Sequence, residues 1–421
     1  MRARLLLASA IAAAGACRGG DGTEGAGAGP TVRDSAGVRI VEHDAQAASE
    51  RWRLSSAPVV WVSQDLPAEE LALDPVSVFQ GPSGAIAVGD GNQVGWDAIL
   101  LYEPTGRLRF RVGGGGRGPG EFGGQLWWAD LYRADSLVAW DRRGPAGPSI
   151  KVFGPDGSYS RDVTIPRPER PEPEGTHGFS LGAHGWFSDG DFLTSSEGYV
   201  EPPAQAGPTR FRHLLLSTDP GGLVWDTIGE FGLVESYWTG SEQVGYWFGA
   251  AGIVRTFGDQ VLLATARDYE FQILNRAGTP TLIVRRLIAA SPVQPEDVAQ
   301  MVDAFVAYMS EQPGVSEDDV QRMRRVIDAT PTASTKPSYS SVLVDDALRV
   351  WVERFRWLDP WSVPLDPGPS EWDVFSPEGD WLATVDVPAR VLLLSVSGDR
   401  AFGMRMDSLD VEHVEVYDIV E

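Results

Sequence analysis

The sequence predicts an all-β fold made of one repeated antiparallel unit. Residues 99–122 (ILLYEPTGRLRFRVGGGGRGPGEF) alternate apolar and polar side chains over two strands, and Pro104-Thr105-Gly106 supplies the turn between them. A similar turn that ends in glycine closes each of four further segments, residues 152–157, 216–221, 273–278 and 374–379. The 48 glycines and 30 prolines among 421 residues also favour many turns over long helices.

The number of repeated units follows from the short turns between the first and second strands of each unit. Six such turns occur, at residues 82–84, 133–135, 188–190, 257–259, 344–346 and 397–399. The sixth unit has sequence for three strands, whereas the β-rich residues 52–62 have no place in the first unit. A ring that closes leaves no open sheet edge. We therefore predict a six-bladed β-propeller in which this N-terminal strand closes the last blade.

Three segments resemble the NHL-repeat propellers of bacterial envelope lipoproteins. They are the glycine-rich link VGGGGRGPGEF (residues 112–122), the strand and turn SIKVFGPDG (residues 149–157) and the strand DSLVAWD (residues 135–141). The resemblance extends over residues 76–421. It implies a ring scaffold of a kind that binds more often than it catalyses.

The N-terminus has the pattern of an export signal. Arg2 and Arg4 precede the apolar residues 5–13, and three small residues follow, which predicts a signal peptide over residues 1–16. This segment is too short to span a bilayer. Export would place the protein in the envelope of a bacterium, on the periplasmic or outer face of a membrane.

Cys17 is the only cysteine and comes directly after the cleavage site. A single thiol cannot form an internal disulfide, and its position resembles the lipidated cysteine of a lipobox. Ordinary cleavage at the same bond stays an alternative, because Ala14 stands where lipoboxes usually have Leu. We expect a lipid anchor on Cys17 and a flexible tether over residues 17–50.

Residues 51–421 are expected to form a single propeller domain and a monomer. The formal net charge of −24 repels a phosphate backbone, so the sequence argues against nucleic-acid binding. The membrane would be reached through the lipid anchor only.

Residues 289–337 depart from the β pattern and predict a helical hairpin between blades four and five. Pro295 begins a run with apolar side chains at helical spacing, which ends before Pro313-Gly314. Ser316 and Asp319 form a capping-box pattern for a second helix. The hairpin is interpreted either as an arm that docks a partner or as a decoration packed on the ring.

Long loops concentrate on one face of the predicted propeller, the face of the links between blades and of the loops between second and third strands. Such loops on a rigid scaffold commonly carry binding residues. The binding candidates on or beside this loop-bearing face are Trp96, Arg117, Tyr237, Trp238, Tyr246, Trp247, Trp357 and Trp361. Exposed rings anchor proteins or stack on sugars; alternatively, these rings pack the loops against the ring.

No motif identifies a reaction, a cofactor or a metal site. The glycines of residues 113–118 match a dinucleotide fingerprint, but Pro119 follows and no helix begins there. His177 and His184 are expected to be a surface and a strand residue. The sequence therefore favours a non-enzymatic scaffold for a protein or glycan. The alternative is a propeller hydrolase or lactonase with a metal or acidic site at the central channel.

Overall fold

The computed structural model describes residues 29–45, 49–62, 75–81, 83–91, 98–123, 126–133, 136–142, 148–165, 182–196, 203–311, 315–356, 368–407 and 411–421. Within these ranges the chain forms 28 strands and two helices, which confirms the all-β prediction. The strands are β1 (Thr31–Ser35), β2 (Val38–Asp44), β3 (Glu50–Leu54), β4 (Val60–Trp61), β5 (Pro75–Gln80), β6 (Ile86–Asp90), β7 (Ala98–Tyr102), β8 (Leu108–Gly113), β9 (Leu126–Tyr132), β10 (Ser136–Asp141), β11 (Ser149–Phe153), β12 (Tyr159–Thr164), β13 (Gly182–Trp186), β14 (Phe192–Ser195), β15 (Gly207–Thr218), β16 (Trp225–Trp238), β17 (Gln243–Val244), β18 (Ile253–Phe257), β19 (Gln260–Ala264), β20 (Glu270–Leu274), β21 (Pro280–Leu287), β22 (Tyr339–Val344), β23 (Val350–Arg354), β24 (Ser370–Phe375), β25 (Trp381–Val387), β26 (Val391–Ser397), β27 (Arg400–Met406) and β28 (Glu412–Val420). The helices are α1 (Pro295–Glu311) and α2 (Glu317–Ala329).

Consecutive strands pair antiparallel into sheets. β5 to β8 and β9 to β12 form two four-stranded sheets, and β13 to β17 form a five-stranded sheet. β18 to β21 belong to a six-stranded sheet, and β22 to β28 belong to a nine-stranded sheet. The strands β5, β9, β13, β18, β22 and β26 contact one another in that order, and β26 contacts β5. These inner strands therefore surround a central axis in a nearly closed ring.

The N-terminal segment joins three places on this ring. β1 and β2 form a hairpin, and β2 pairs parallel with β21, with Val41 opposite Val284. β3 lies between β25 and β28, and β4 pairs antiparallel with β28. The pairing of β4 with β28 is the one expected for a closing strand. The tether predicted over residues 17–50 is wrong for residues 31–44, because Ile40 and Val41 are buried against the sheet rather than solvated.

The helical hairpin is confirmed between β21 and β22. In its second helix, the Ser316 hydroxyl accepts from the backbone N–H of Asp319, and the Asp319 carboxylate accepts from the N–H of Ser316, which is the predicted capping box. Val320 and Ile327 face inward. Among the described residues, neither helix is long and apolar enough to cross a membrane.

β15 and β16 form a longer ribbon than the sequence suggests. β15 and β16 pair from Gly207 opposite Trp238 to Thr218 opposite Trp225, so part of the long loop before β15 and part of the link after β16 are strand. Two register shifts let this ribbon bend. The loop-bearing face is correspondingly less irregular at this point.

Buried charges connect the sheet of β18 to β21 with the strands β22 to β25. The Asp373 carboxylate, which is fully buried on β24, accepts from the hydroxyl of Tyr269 at 2.6 Å and from the guanidinium of Arg286 at 2.5 Å. Arg354 and the hydroxyl of Thr384 donate to the same carboxylate. Burial opposes ionisation of Asp373, but the bond from Arg354 and the charge of Arg286 outweigh it and hold its pKa below the ordinary value.

Candidate functional site

A cavity of about 680 Å³ lies among the inner strands. Residues from β5, β9, β13, β18, β22 and β26 line it, together with the short turns after several of these strands. Gly185 lets β13 approach β18, because a Cβ at this position would collide with Oγ1 of Thr256. The short turns lie at the end of the inner strands opposite to the long loops. The cavity therefore reaches the face of the short turns, whereas the sequence predicted binding on the loop-bearing face.

Tryptophans form much of the cavity wall. Trp127 and Trp128 come from β9, Trp140 from β10 and Trp186 from β13. Trp127 is 48% exposed and packs against Trp140, with ring centroids 6.5 Å apart. The indole N–H of Trp186 donates to the carbonyl of Leu131 at 3.1 Å, which fixes its ring. Large apolar rings beside a few polar groups are typical of ligand sites in proteins.

Asp130 is the acidic group of the inner wall. Its side chain is partly buried on β9, and its carboxylate accepts from the backbone N–H of Leu131 at 2.7 Å. Burial raises its pKa from 3.8 to about 7, although the bonds from Leu131 and Trp186 act in the opposite direction. Asp130 is therefore poised between its neutral and ionised forms at physiological pH.

Asp130 should make the protein less stable as the pH rises. Because its pKa is higher in the folded than in the unfolded chain, the folded state keeps a proton between pH 3.8 and about 7 that the unfolded state has lost. This contribution is complete below that window and absent above it. We expect Asp130→Asn to raise the free energy of unfolding by about 2 to 4 kcal/mol at pH 8 and to change it little at pH 4. Urea denaturation of both proteins at the two pH values measures the difference; a loss of stability at pH 8 would contradict it.

Two basic side chains stand on neighbouring inner strands. His184 on β13 forms a hydrogen bond between Nε2 and the hydroxyl of Ser195 at 2.9 Å. Burial and the nearby charge of Arg255 lower the pKa of His184 from 6.5 to about 3, so the ring is neutral at physiological pH. Arg255 on β18 donates from Nη1 to the carbonyl of Val254 at 2.8 Å. Among the described lining residues, Arg255 is the only permanent cation.

The other carboxylates of the cavity lie in the short turns. Asp259 accepts from the N–H and hydroxyl of Ser188, and Asp346 accepts from the hydroxyl of Ser397. Asp345 is buried and forms an ion pair with Arg349 at 2.6 Å. Each of these acids therefore has a partner at the rim. In the described part of the wall, two buried polar atoms have no hydrogen-bond partner, Nε1 of Trp140 and Oγ of Ser395.

Four of the predicted binding aromatics lie together beside the helical hairpin. The rings of Tyr237 and Tyr246 are 5.8 Å apart. The indole N–H of Trp247 donates to the carbonyl of Ile327 at the end of α2. Trp238 is only 6% exposed, so its prediction as an exposed anchor is wrong. Trp247 is therefore held against the hairpin, whereas Tyr237 and Tyr246 are half-buried and their predicted binding role stays a prediction.

The remaining predicted site residues do not join this group. Arg117 is exposed in the glycine-rich link. Cys17, Trp96, Trp357 and Trp361 lie outside the described residues, so their predicted roles stay predictions.

No cluster of three or more His, Cys, Asp and Glu side chains that could hold a metal ion occurs within the described ranges. His184 points to Ser195, whereas Asp189 and Asp191, which the sequence places nearby, both pair with Arg276. His177 lies outside the described residues.

A second cavity of about 440 Å³ lies between the hairpin and the strands that precede and follow it. Its four cationic side chains are each paired with a carboxylate. The pairs are Arg286 with Asp373, Lys336 with Asp297, Arg354 with Glu371, and Arg356 with Glu353. The charges of this cavity are therefore compensated within the protein.

The sequence indicated the central channel only as the alternative location of a site, and it predicted no residue there. The sequence contained one indication of this cavity, since a single predicted inner strand carries Trp127, Trp128 and Asp130 close together. Arg255 gave no signal, because its place in the cavity depends on the packing of β18 beside β13.

Comparison with known proteins shows likeness of fold. No family model and no curated protein matches the sequence. A member of the DUF4221 family from Bacteroides vulgatus has 8% sequence identity and a TM-score of 0.50, over 88% of this chain and 99% of its own. A candidate exported protein from Bacteroides fragilis has 12% identity and a TM-score of 0.48, over 91% and 99%. Regucalcin from Agrobacterium tumefaciens, a calcium-binding protein, has 9% identity and a TM-score of 0.38, over 89% and 97%.

The ring of inner strands and the likeness to the DUF4221 structure together define the class. The described chain has a β-propeller-like all-β fold. At such low sequence identities, the comparison shows similarity of fold alone.

Proposed function

We propose that the chain is a six-bladed β-propeller of the NHL-repeat type. Six inner strands contact one another around the axis, and β4 supplies an outer strand next to β28. The nine-stranded sheet would then be two blades joined by β3. The glycine-rich link of residues 112–122 supports the NHL relationship.

The propeller would be exported and anchored by a lipid on Cys17, as a monomer in the bacterial envelope. The support is the signal pattern of residues 1–16 and the position of the single cysteine. Acylation is tested by the mass of the mature N-terminus.

The function that the geometry supports best is glycan binding without catalysis, in the central cavity. The observation that carries it is the wall of four tryptophans around a 680 Å³ space that also holds Asp130 and Arg255. Indole faces stack on sugar rings, and the polar groups would fix the orientation of the hydroxyls. The loop-bearing face supplies less, because Trp238 is buried and Trp247 is hydrogen-bonded to the hairpin.

Removing cavity rings should weaken glycan binding. We expect Trp127→Ala and Trp128→Ala each to raise the Kd for an oligosaccharide about tenfold, since a stacked ring at the centre of a site contributes more than about 1 kcal/mol. Isothermal titration with a panel of neutral and acidic oligosaccharides provides the measurement.

Trp225→Ala is the matched control, because this ring is 43% exposed at the start of β16 and does not line the cavity. The control should bind like the parent protein. Equal weakening by all three substitutions, or no binding by any member of the panel, would refute glycan binding in the cavity.

One observation favours hydrolysis as a second candidate. A carboxyl group with a pKa of about 7 suits a general acid or base at neutral pH, and Asp130 has that value. In that case Asp130→Asn would abolish release of reducing sugar and retain binding. A glycan that is bound and not cleaved by the parent protein would favour the binding function.

A further inference from the structure

Among the residues that the structure describes, Arg255 is a cation in the central cavity that has no carboxylate partner. Its guanidinium donates a hydrogen bond to the carbonyl of Val254, its own neighbour in the chain. Among the described residues no carboxylate lies near enough to contribute to the stability of its charged form, and burial alone acts on its pKa, lowering it. Burial of an unpaired charge is costly, so such groups are normally paired.

The other cavities and charged clusters show the contrast. In the cavity beside the hairpin, every lining cation has its own acid, as Arg286 has Asp373 at 2.5 Å. In the central cavity, His184 is neutral at physiological pH, so it carries no charge that could interact with the charge of Arg255. Within the described part of the inner wall, Arg255 is therefore a cation that is not paired with an acid.

The rim of the same cavity carries the opposite charge. Asp259 and Asp346 are exposed in the short turns, where their hydrogen bonds with Ser188 and Ser397 hold them in place. A ligand with many negative charges would be repelled by these acids as it enters the cavity. A ligand with one negative charge at its inner end would avoid them and reach Arg255.

We propose that the central cavity binds a saccharide that carries a single acidic group at the end that enters first, with that group paired to Arg255. This inference rests on glycan binding in the cavity and adds the charge and direction of the ligand. Trp128 and Trp186, on the strands β9 and β13, would stack on the ring that carries the acid.

Four probes separate the elements of this inference: cellobiouronate, which has one terminal carboxylate, the neutral cellobiose, cellobiose carrying one terminal sulfate, and a linear triglucuronate. With the full chain, we expect cellobiouronate to bind about tenfold to a hundredfold more tightly than cellobiose, because a charge-assisted bond is among the stronger ones. Triglucuronate should bind more weakly than cellobiouronate. The sulfated probe shows whether Arg255 selects a carboxylate or accepts either anion.

Substitution of Arg255 assigns the effect to this residue. Arg255→Met should abolish the preference for cellobiouronate, measured as the ratio of the two Kd values, whereas Arg255→Lys should retain part of the preference. Arg255→Met should also raise the melting temperature of the unliganded protein, since it removes a partly buried charge that has no acidic partner. A lower melting temperature would identify Arg255 as a structural residue and overturn the inference.

The outcomes distinguish this inference from the proposed function. Equal affinity for cellobiouronate and cellobiose, or an unchanged ratio in Arg255→Met, overturns the acidic ligand and leaves glycan binding standing. Tighter binding of triglucuronate than of cellobiouronate overturns the single terminal charge. Failure of all four probes to bind counts against glycan binding itself, and the inference fails with it.

Discussion

A chain that lacks residues 1–62 should not reach the native fold. The deletion removes β1 to β4, whose backbones pair with three strands of the ring, β21, β25 and β28. It also removes five buried apolar side chains, Ile40, Val41, Trp52, Leu54 and Val62. At about 1.5 to 3 kcal/mol for each buried side chain, the loss is about 8 kcal/mol or more. That is the whole stability of many domains, about 5 to 15 kcal/mol.

Thermal unfolding followed by circular dichroism measures this loss. The truncated chain should show no cooperative transition and should aggregate through the exposed edge of β28. The matched control lacks residues 1–28 and keeps β1 to β4, and it should melt like the full chain. A cooperative transition at the same temperature in both truncated chains would show that the N-terminal strands do not hold the ring together.

Asp373→Ala should lower the free energy of unfolding by about 3 to 5 kcal/mol, because it leaves the buried guanidinium of Arg286 without its carboxylate and removes one of the two acids paired with Arg354. Arg286 is 6% exposed at its side chain, and Arg354 donates to Asp373 from both Nε and Nη2. Tyr269 also loses the acceptor of its hydroxyl. Urea denaturation with both variants at one pH gives the difference.

Asp386→Ala is the control for Asp373→Ala. Asp386 also pairs with an arginine, Arg51, at 2.7 Å, but its side chain is 58% exposed. Exposed pairs contribute about 0 to 1 kcal/mol, so this substitution should have little effect. Similar losses in the two variants would mean that the burial of Asp373 is not the source of its contribution.

Local sequence signals predicted the elements that depend on local chemistry. The turns that end in glycine, such as residues 104–106, indicated strands on both sides, and Ser316 with Asp319 indicated the second helix. The pairing of β4 with β28 could be anticipated because a sheet edge and an unassigned β-rich segment occur at opposite ends of the chain. In the turns and in the helix cap, the interacting residues lie within a few positions of one another in the sequence. The pairing of β4 with β28 follows from counting the repeated units.

Contacts between distant units could not be predicted in the same way. The hairpin of β1 and β2 was taken for a tether, because polar side chains such as Arg33, Asp34 and Glu42 surround Ile40 and Val41. Only β21, more than 230 residues later, supplies the apolar surface that buries them. The position of Arg255 beside β13 likewise depends on the contact between β13 and β18.

The position of the proposed binding site also differs from the loop-bearing face, where the sequence predicted binding. Long loops direct attention to the face that carries the hairpin, where Trp238 is buried and Trp247 is bonded to α2. The central cavity is instead lined by regular strands with short turns. Side chains on rigid strands hold a ligand in a fixed orientation at little cost in conformational entropy.

A crystal structure of the full domain with cellobiouronate at saturating concentration tests the central claim most directly. The disaccharide should lie in the central cavity, with a sugar ring against Trp128 or Trp186 and its carboxylate within hydrogen-bond distance of Arg255. Density for the disaccharide beside Tyr237 and Tyr246 on the loop-bearing face, with the central cavity free of sugar, would contradict the account.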